Sequence, residues 1–154
     1  MAKLTYIGHS AFALEANGIQ ILVDPFITGN PVSTHNSDDF SPSVILLTHA
    51  HDDHVGDTLE IALRTGATII TIVELADYLE QRGVKTDAAN HGGTIGFDGG
   101  SVKFVPAWHS STFTQEFLAP GVPSGLIVRF DGTTIYFAGD TCLFSDMSLI
   151  GEEG

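Results

Sequence analysis

The segment that most constrains the fold runs from Thr48 to His54, where three histidines and two aspartates follow the apolar residues 44–47. Such a short apolar run is typical of a strand that is buried on both faces. Open α/β sheets bind ligands at the carboxyl ends of their strands, which is where this polar segment would lie. The sequence therefore predicts a buried strand that leads directly into a functional site.

The residue types in this segment are those of a metal site, because neutral imidazole suits Zn, Fe and Ni while carboxylate adds negative charge. His49 and His51 are two residues apart, so their side chains can point to one place, whereas the adjacent Asp53 and His54 point to a second place nearby. A polar loop that only caps the strand is the alternative. Four potential ligands at this density favour the metal site, and their spacing indicates two ions.

The pattern His49-x-His51-x-Asp53-His54 resembles the H-x-H-x-D-H signature of the metallo-β-lactamase superfamily. The resemblance extends from residue 3 to about residue 150 and is greatest to the metal-dependent hydrolases related to the lactonase branch. Four further motifs occur in the order expected for that group: Gly8–Phe12, Asp24–Phe26, Ala107–Ser110 and Ala138–Thr141.

The resemblance implies an α/β (α+β) fold, the four-layer αββα sandwich, as a single domain over residues 1–154. In that superfamily the last metal-ligand histidine lies on a later strand, and no histidine follows His109 in this chain. We therefore expect the domain to hold the first half of the sandwich and part of the second, incomplete at the C-terminus. A naturally short form is the alternative. Either way, the second metal site is expected to be one ligand short.

Two further ligands are expected at the ends of later strands. His109 follows the other histidines in the order that suits a third imidazole, although a buried or surface histidine is the alternative. Asp140 can bridge two ions or, alternatively, can cap a helix that begins near Leu143. The expected ligands are His49, His51 and His109 for the first ion, Asp53 and His54 for the second, and Asp140 for both.

Two motif residues are expected to support the site without binding metal. His9 would contact a ligand or the substrate, with a structural role in a strand bend as the alternative. Asp24 would orient a ligand histidine or its loop, because metal-bound imidazoles usually donate their other N–H to a carboxylate or carbonyl. A turn aspartate before Pro25 is the alternative for Asp24.

Two divalent ions that share a water lower its pKa toward 7, and Asp53 could then carry a proton to the leaving group. This predicts hydrolysis of a lactone, ester, amide or phosphodiester in a small-molecule substrate. Zn²⁺ is the favoured ion, with Mn²⁺ or Fe²⁺ as alternatives. Two other functions compete: a di-iron oxidoreductase of the same fold, whose members carry Glu where this chain has His51, and a metal-binding fragment without turnover.

The composition limits the partners. Asp and Glu number 19 against 6 Lys and Arg, so a general nucleic-acid-binding role is not expected. No apolar run is long enough for a membrane span, and the N-terminus does not resemble a signal peptide. Cys142 is the only cysteine, which favours the cytoplasm. Assembly into a homo-oligomer is left open.

Periodicity and turn residues predict a strand-rich chain with a long loop at 27–42 that contains His35, which we interpret as a solvated histidine. His91 receives no role, and Cys142 is interpreted as a small buried residue. Trp108 and Phe113 are interpreted as core aromatic residues, with walls of the pocket as the alternative. The predicted strands are 3–7, 11–15, 20–23, 44–47, 68–73, 94–97, 101–107, 125–130 and 133–137, and the predicted helices are 58–64 and 74–82.

Overall fold

A computed structural model describes residues 2–113, 118 and 120–153 of the chain. Within these residues the strands are β1 (Lys3–Gly8), β2 (Ala11–Ala16), β3 (Ile19–Val23), β4 (Val44–Leu46), β5 (Thr68–Thr71), β6 (Lys85–Ala88), β7 (Thr94–Phe97), β8 (Gly100–Pro106), β9 (Ser124–Phe130) and β10 (Thr133–Phe137). The helices are a 3₁₀ turn at Ser37–Asp39, α1 (Asp52–Val55), α2 (Thr58–Thr65), α3 (Val73–Glu80) and α4 (Met147–Gly151). In this part of the chain none of the helices has both the length and the apolar character that crossing a membrane requires.

The strands form two sheets. The first has the order β1-β2-β3-β4-β5-β6, antiparallel from β1 to β3 and parallel from β3 to β6. The second has the order β10-β9-β8-β7 and is antiparallel throughout. Asn17-Gly18 and Asp131-Gly132 make the β2–β3 and β9–β10 turns, with positive φ at all four residues. Such turns match the twist of hairpin strands, which is why Asn-Gly and Asp-Gly predict them.

Adjacent residues of the central strands face different cores, because side chains alternate across a sheet. On one face of the first sheet, Ile45 packs with Ile61 of α2 and Leu75 of α3. On the other face, Leu46 packs with Phe104 of the second sheet. Strand β4 is consequently buried on both faces, as its continuous apolar sequence predicted.

A third apolar cluster covers the outer face of the second sheet, where Ile150 of α4 packs on Val105 and Ile127. The layers are therefore helices, first sheet, second sheet and helix. This is the αββα arrangement that the resemblance implied, and that prediction is confirmed.

Four details differ from the sequence-based assignment. Strand β5 ends at Thr71, so α3 begins at Val73. Strand β6 was not predicted, because an edge strand with alternating exposed polar residues lacks an apolar run. The helix expected near Leu143 begins only at Met147, and the Leu143 side chain is 88% exposed. The sequence predicts a loop where the structure has helix α1, because a helix of four residues is too short to show helical periodicity.

The end of α1 is fixed against the loop that follows β3. The backbone N–H of Asp57 donates to the carbonyl of Pro25 at 3.0 Å, and Asp57 Oδ2 accepts the N–H groups of Ile27 and Thr28 at 2.8 Å each. Gly56 lies against the same loop at a positive φ of 41°. A Cβ atom at Gly56 would lie 2.5 Å from the Cα of Phe26, so this contact requires glycine.

We expect Gly56→Ala to lower the free energy of unfolding by about 3 kcal/mol, because a methyl group there meets backbone atoms as well as an unfavourable φ. Gly66→Ala is the matched control, since Gly66 also has a positive φ of 75° but its Cβ would meet nothing within 4 Å. The control should lose only about 1 kcal/mol. Urea unfolding of both variants measures the difference, and equal losses would show that the Gly56 contact is unimportant.

Candidate metal centre

Residues from both sheets meet beyond the carboxyl end of β4. His49 leaves this strand end, His51 precedes the first turn of α1, and Asp53 and His54 lie within α1. His49 and His54 are completely buried. From other elements come His9 and Asp24 of the first sheet, and His109 and Asp140, which follow β8 and β10 of the second.

The three histidines expected around the first ion lie together. His49 Nε2 is 3.0 Å from His51 Nδ1. The ring centroid of His109 is 5.4 Å from that of His49 and 5.0 Å from that of His51. One nitrogen from each ring falls within 4.8 Å of the other two, so the three residues could hold one ion.

Asp140 lies between this histidine group and His54. Its Oδ2 is 3.4 Å from His109 Nε2, and its Oδ1 is 3.3 Å from His54 Nε2. His49, His54 and Asp140 also offer three ligand atoms within 4.8 Å of one another. Each carboxylate oxygen thus faces a different histidine, which is the arrangement that a bridging ligand needs.

Asp53 and His54 form a separate group, and the third member is His9. The Nε2 atom of His9 is 3.0 Å from Asp53 Oδ2, and ligand atoms of all three residues lie within 4.8 Å of one another. The sequence indicated contact between His9 and the site but gave no reason to place it among the potential ligands. No local spacing connects residue 9 with residue 53, and only the tertiary structure brings them together.

Asp24 is a buried carboxylate that organises the two fully buried histidines. Its Oδ1 accepts the N–H of Thr48 at 2.8 Å, and its Oδ2 accepts the Thr48 hydroxyl at 2.6 Å and His54 Nδ1 at 2.8 Å. Because the Thr48 hydroxyl donates its proton to Asp24, it accepts from His49 Nδ1 at 3.0 Å. Asp24 therefore orients His54 directly and His49 through Thr48.

These bonds decide which nitrogens can bind metal. With Nδ1 of His49 and of His54 donating, the Nε2 atom of each neutral ring carries the free lone pair. The buried Nε2 of His54 makes no hydrogen bond although Asp140 Oδ1 is only 3.3 Å away. A lone pair and a carboxylate oxygen repel each other at that distance, and a cation bound by both removes the repulsion. The residues present therefore fit a metal ion.

The protonation of the rings agrees with this arrangement. Burial, followed by the neighbouring imidazoles, lowers the pKa of His49 to about 2, and burial and His109 lower the pKa of His51 as well. Both rings are consequently neutral and ready to bind metal at neutral pH. For His54, burial lowers the pKa, but the hydrogen bond and charge of Asp24, together with the charges of Asp140 and Asp53, raise it by more. The surroundings of His54 thus favour positive charge, which a metal ion can supply in place of a proton.

Three hydroxyl residues, two of them within motifs quoted above, have contacts in the site that the sequence did not predict. Thr48 connects Asp24 to His49, as described above. The Ser110 hydroxyl is 3.2 Å from His51 Nε2, and the Ser111 hydroxyl accepts the N–H of Ala50 at 3.2 Å. Hydroxyl residues are common in loops, so nothing in their pattern distinguished these three.

The remaining residues singled out in the sequence lie outside the groups of potential ligands. The surface histidine His35 is 3.8 Å from Asp39, whereas His91 bonds the carbonyl of Pro123 and the hydroxyl of Ser124.

Cys142 is exposed, so its interpretation as a buried residue was wrong, and Trp108 is 66% exposed instead of lying in the core. Phe113 is buried as predicted and stacks on Tyr78.

Comparison with known proteins agrees with the metal-binding character of the site. Residues 20–153 match the family model described as a beta-lactamase superfamily domain. The chain is 52% identical over 153 residues to a UPF0173 metal-dependent hydrolase of Geobacillus thermodenitrificans, a match that covers 97% of this chain and 68% of that protein. It is 45% identical over 154 residues to a UPF0173 metal-dependent hydrolase of Thermus thermophilus, and this match covers 100% of this chain and 68% of that protein.

Solved structures show the same fold. Igni18 of Ignicoccus hospitalis, described as a novel metallo hydrolase, superposes with a TM-score of 0.87 at 44% identity, over 98% of this chain and 66% of that one. CmlA of Streptomyces venezuelae, a diiron beta-hydroxylase, superposes with a TM-score of 0.75 at 21% identity. The superposition covers 99% of this chain and 32% of CmlA. At that identity the likeness to CmlA is one of fold alone. The chain spans about two thirds of the length of the Geobacillus and Ignicoccus proteins.

We expect Asp24→Asn to weaken zinc binding about 10- to 100-fold and to lower the free energy of unfolding by about 3 kcal/mol, because an amide cannot accept all three hydrogen bonds. Competition with a chromophoric chelator measures the affinity, and urea unfolding of the metal-free protein measures the stability. Asp52→Asn is the control, since Asp52 is an exposed residue of α1 outside the groups of potential ligands. Unchanged zinc affinity in Asp24→Asn would refute the orienting role.

Proposed function

Because the chain belongs to the metallo-β-lactamase superfamily, among its UPF0173 metal-dependent hydrolases, we propose that it hydrolyses a small molecule at a pair of divalent metal ions. The first ion would be held by His49, His51 and His109. The second would be held by Asp53 and His54, and Asp140 would contact both.

The observation that carries this proposal is the separation of the donor atoms. His49 and His51 approach to 3.0 Å, and Asp140 approaches His54 and His109 to 3.3 and 3.4 Å through different oxygens. Two ligands that each lie about 2.1 Å from one zinc ion are themselves roughly 3.0 to 3.5 Å apart. The side chains therefore have the separations that shared ions require.

When bound, the two ions would supply the Lewis acidity that ionises water near neutral pH and stabilises negative charge on the substrate. The contribution of the protein is to hold the ligand side chains in fixed positions. Asp24 and Thr48 hold the buried rings of His49 and His54 in one orientation, so little reorganisation is needed during the reaction.

Asp53 is the residue that we propose moves protons. Its carboxylate is half-exposed, so it borders the space that a substrate would enter, and it is 3.0 Å from His9. It would accept a proton from the attacking water and deliver one to the leaving group. The two serine hydroxyls that lie beside histidines of the site, Ser110 at 3.2 Å from His51 and Ser10 at 3.2 Å from His9, contact rings that we propose as metal ligands and not as free bases. Direct attack by water is therefore the simplest mechanism.

The substrate class remains that expected from the sequence: a lactone, ester, amide or phosphodiester. The loops that would select among these bonds are 27–42 and 110–123, and residues 114–117 and 119 lie outside the described residues. Trp108 precedes His109 in the chain and Leu143 follows Asp140 closely, and both side chains are exposed, so we propose them as contacts for an apolar part of a substrate.

Three finer points stay predictions. Zinc is favoured by the imidazole-rich ligand set, with Mn²⁺ or Fe²⁺ as alternatives. A cytoplasmic location is supported by the single cysteine, which cannot form an internal disulfide. A homo-oligomeric state is open to direct measurement by light scattering.

The two competing functions make different experimental predictions. A di-iron oxidoreductase would bind redox-active iron, but His51 provides imidazole where that group of proteins carries glutamate. A non-catalytic metal protein would bind one ion or two without turnover. Metal analysis combined with a panel of lactone, ester, amide and phosphodiester substrates distinguishes them. Two zinc ions with hydrolysis support the proposal, whereas hydrolysis that persists after complete metal removal would contradict it.

We expect His51→Ala to lose at least one of two bound ions and nearly all turnover, because it removes one of three imidazoles from the first site. Elemental analysis after gel filtration measures the metal content. His35→Ala, which removes a surface histidine, should keep both ions. Normal metal content in His51→Ala would contradict the ligand assignment.

We expect Asp140→Asn to weaken both ions together by at least tenfold, because the neutral amide offers one acceptor oxygen in place of two charged ones. Calorimetric titration of the metal-free protein with Zn²⁺ measures both affinities. Asp146→Asn serves as a control, since Asp146 is exposed at the start of α4. Loss of affinity at one site alone would show that Asp140 does not bridge.

A further inference from the structure

We propose that His9 is a protein ligand of the second metal ion, through Nε2, and not only a hydrogen-bond partner of Asp53. This inference rests on the two-metal site proposed above and completes it. Beyond the ligands that the sequence assigned to this ion, His9 adds an imidazole from the β1–β2 hairpin.

The first argument is the backbone that carries His9. The residue is the first of the two residues in the turn between β1 and β2, and its φ of 55° is a left-handed conformation that favours glycine. Gly8 before it has φ 138°, and a Cβ atom there would lie 2.9 Å from the side chains of Asn30 and Val32. The hairpin turn thus presents an imidazole to Asp53 at a position where glycine is the favoured residue.

The second argument is the geometry of the ring. His9 Nε2 is 3.0 Å from Asp53 Oδ2, the same separation as that between the ligand atoms of His49 and His51. The ring centroid of His9 is 4.9 Å from that of His54, and the two rings are nearly perpendicular at 83°. One nitrogen of His9, one nitrogen of His54 and one oxygen of Asp53 thus surround a common place.

The third argument is the other nitrogen of the ring. His9 Nδ1 is 3.2 Å from the Ser10 hydroxyl, to which it can donate. Metal-bound imidazoles usually donate their second N–H in this way, and the bond leaves Nε2 as the free ligand atom. With Asp140 shared between the ions, His9, Asp53 and His54 would give the second ion four protein ligands. Zinc is usually four-coordinate and can expand to a fifth position for water or substrate.

Two substitutions of equal length separate a ligand from a hydrogen-bond partner. His9→Gln keeps an N–H donor for Asp53 but provides a poor metal ligand, whereas His9→Glu provides a carboxylate ligand and no donor. Glutamine and glutamate are both unbranched, and each would occupy the same left-handed backbone position. The free-energy cost of that conformation is therefore equal in the two variants. Thermal unfolding of the metal-free variants confirms that both are folded.

Zinc titration of the unsubstituted protein and both variants gives the result. We expect two ions in the unsubstituted protein, at least tenfold weaker binding of one ion in His9→Gln, and recovery of most of that loss in His9→Glu. Two ions bound with unchanged affinity in His9→Gln overturn the assignment of His9. A single ion in the unsubstituted protein instead overturns the two-metal proposal itself, so the two failures are distinguishable.

A measurement without substitution provides a second test. In the Co²⁺-loaded protein, a ¹⁵N-labelled imidazole nitrogen that is bonded to the ion shows a large through-bond contact shift, whereas a ring that is only nearby shows a much smaller through-space shift. Five of the seven histidines should show the contact shift if His9 is a ligand, namely His9, His49, His51, His54 and His109. A count of four, with only a through-space shift for His9, overturns the proposal.

Discussion

The buried carboxylate of Asp24 is the interaction on which the site depends. It accepts three hydrogen bonds, two from Thr48 and one from His54, at the point where β3 and β4 end side by side. An ionised group that is 1% exposed is stable only when its oxygens are fully bonded. The cost of burying this charge therefore commits the end of β4 to one conformation, and the ring nitrogens of His49 and His54 to one orientation.

Thr48 extends that control to the second sheet. Its carbonyl accepts the N–H of Ser124 at the start of β9, and its side chain is so close to Gly139 that a Cβ there would lie 2.9 Å away. The strand ends that carry His109 and Asp140 are thus held against the strand end that carries His49. Because the contacts are backbone hydrogen bonds and close packing, the relative position of the two half-sites follows from the sandwich itself.

The site concentrates conformational strain as well as charge. Among the described residues, four that are not glycine have positive φ, and two of these are His9 and Asp24. The other two, Asn17 and Asp131, lie in hairpin turns whose type requires that conformation. His9 likewise lies in a hairpin turn, as the first of the two residues between β1 and β2, where positive φ is expected. Asp24 follows β3 outside a hairpin, so its three hydrogen bonds must hold it in this conformation, which agrees with its role in orienting the histidines.

The sequence by itself determined the layers and most of the potential ligands. Continuous apolar runs identified β4 and β5, Asn-Gly and Asp-Gly identified two hairpins, and the spacing from His49 to His54 indicated a metal site, because these signals are local. It did not reveal strand β6, helix α1 or the late start of α4, whose short or polar sequences carry little periodicity. Only the tertiary structure decided that His9 approaches Asp53, that Thr48 connects Asp24 to His49, and that Asp140 faces two histidines at once. Those relations join residues far apart in the chain, and they exist only because strand ends from two sheets converge on one place.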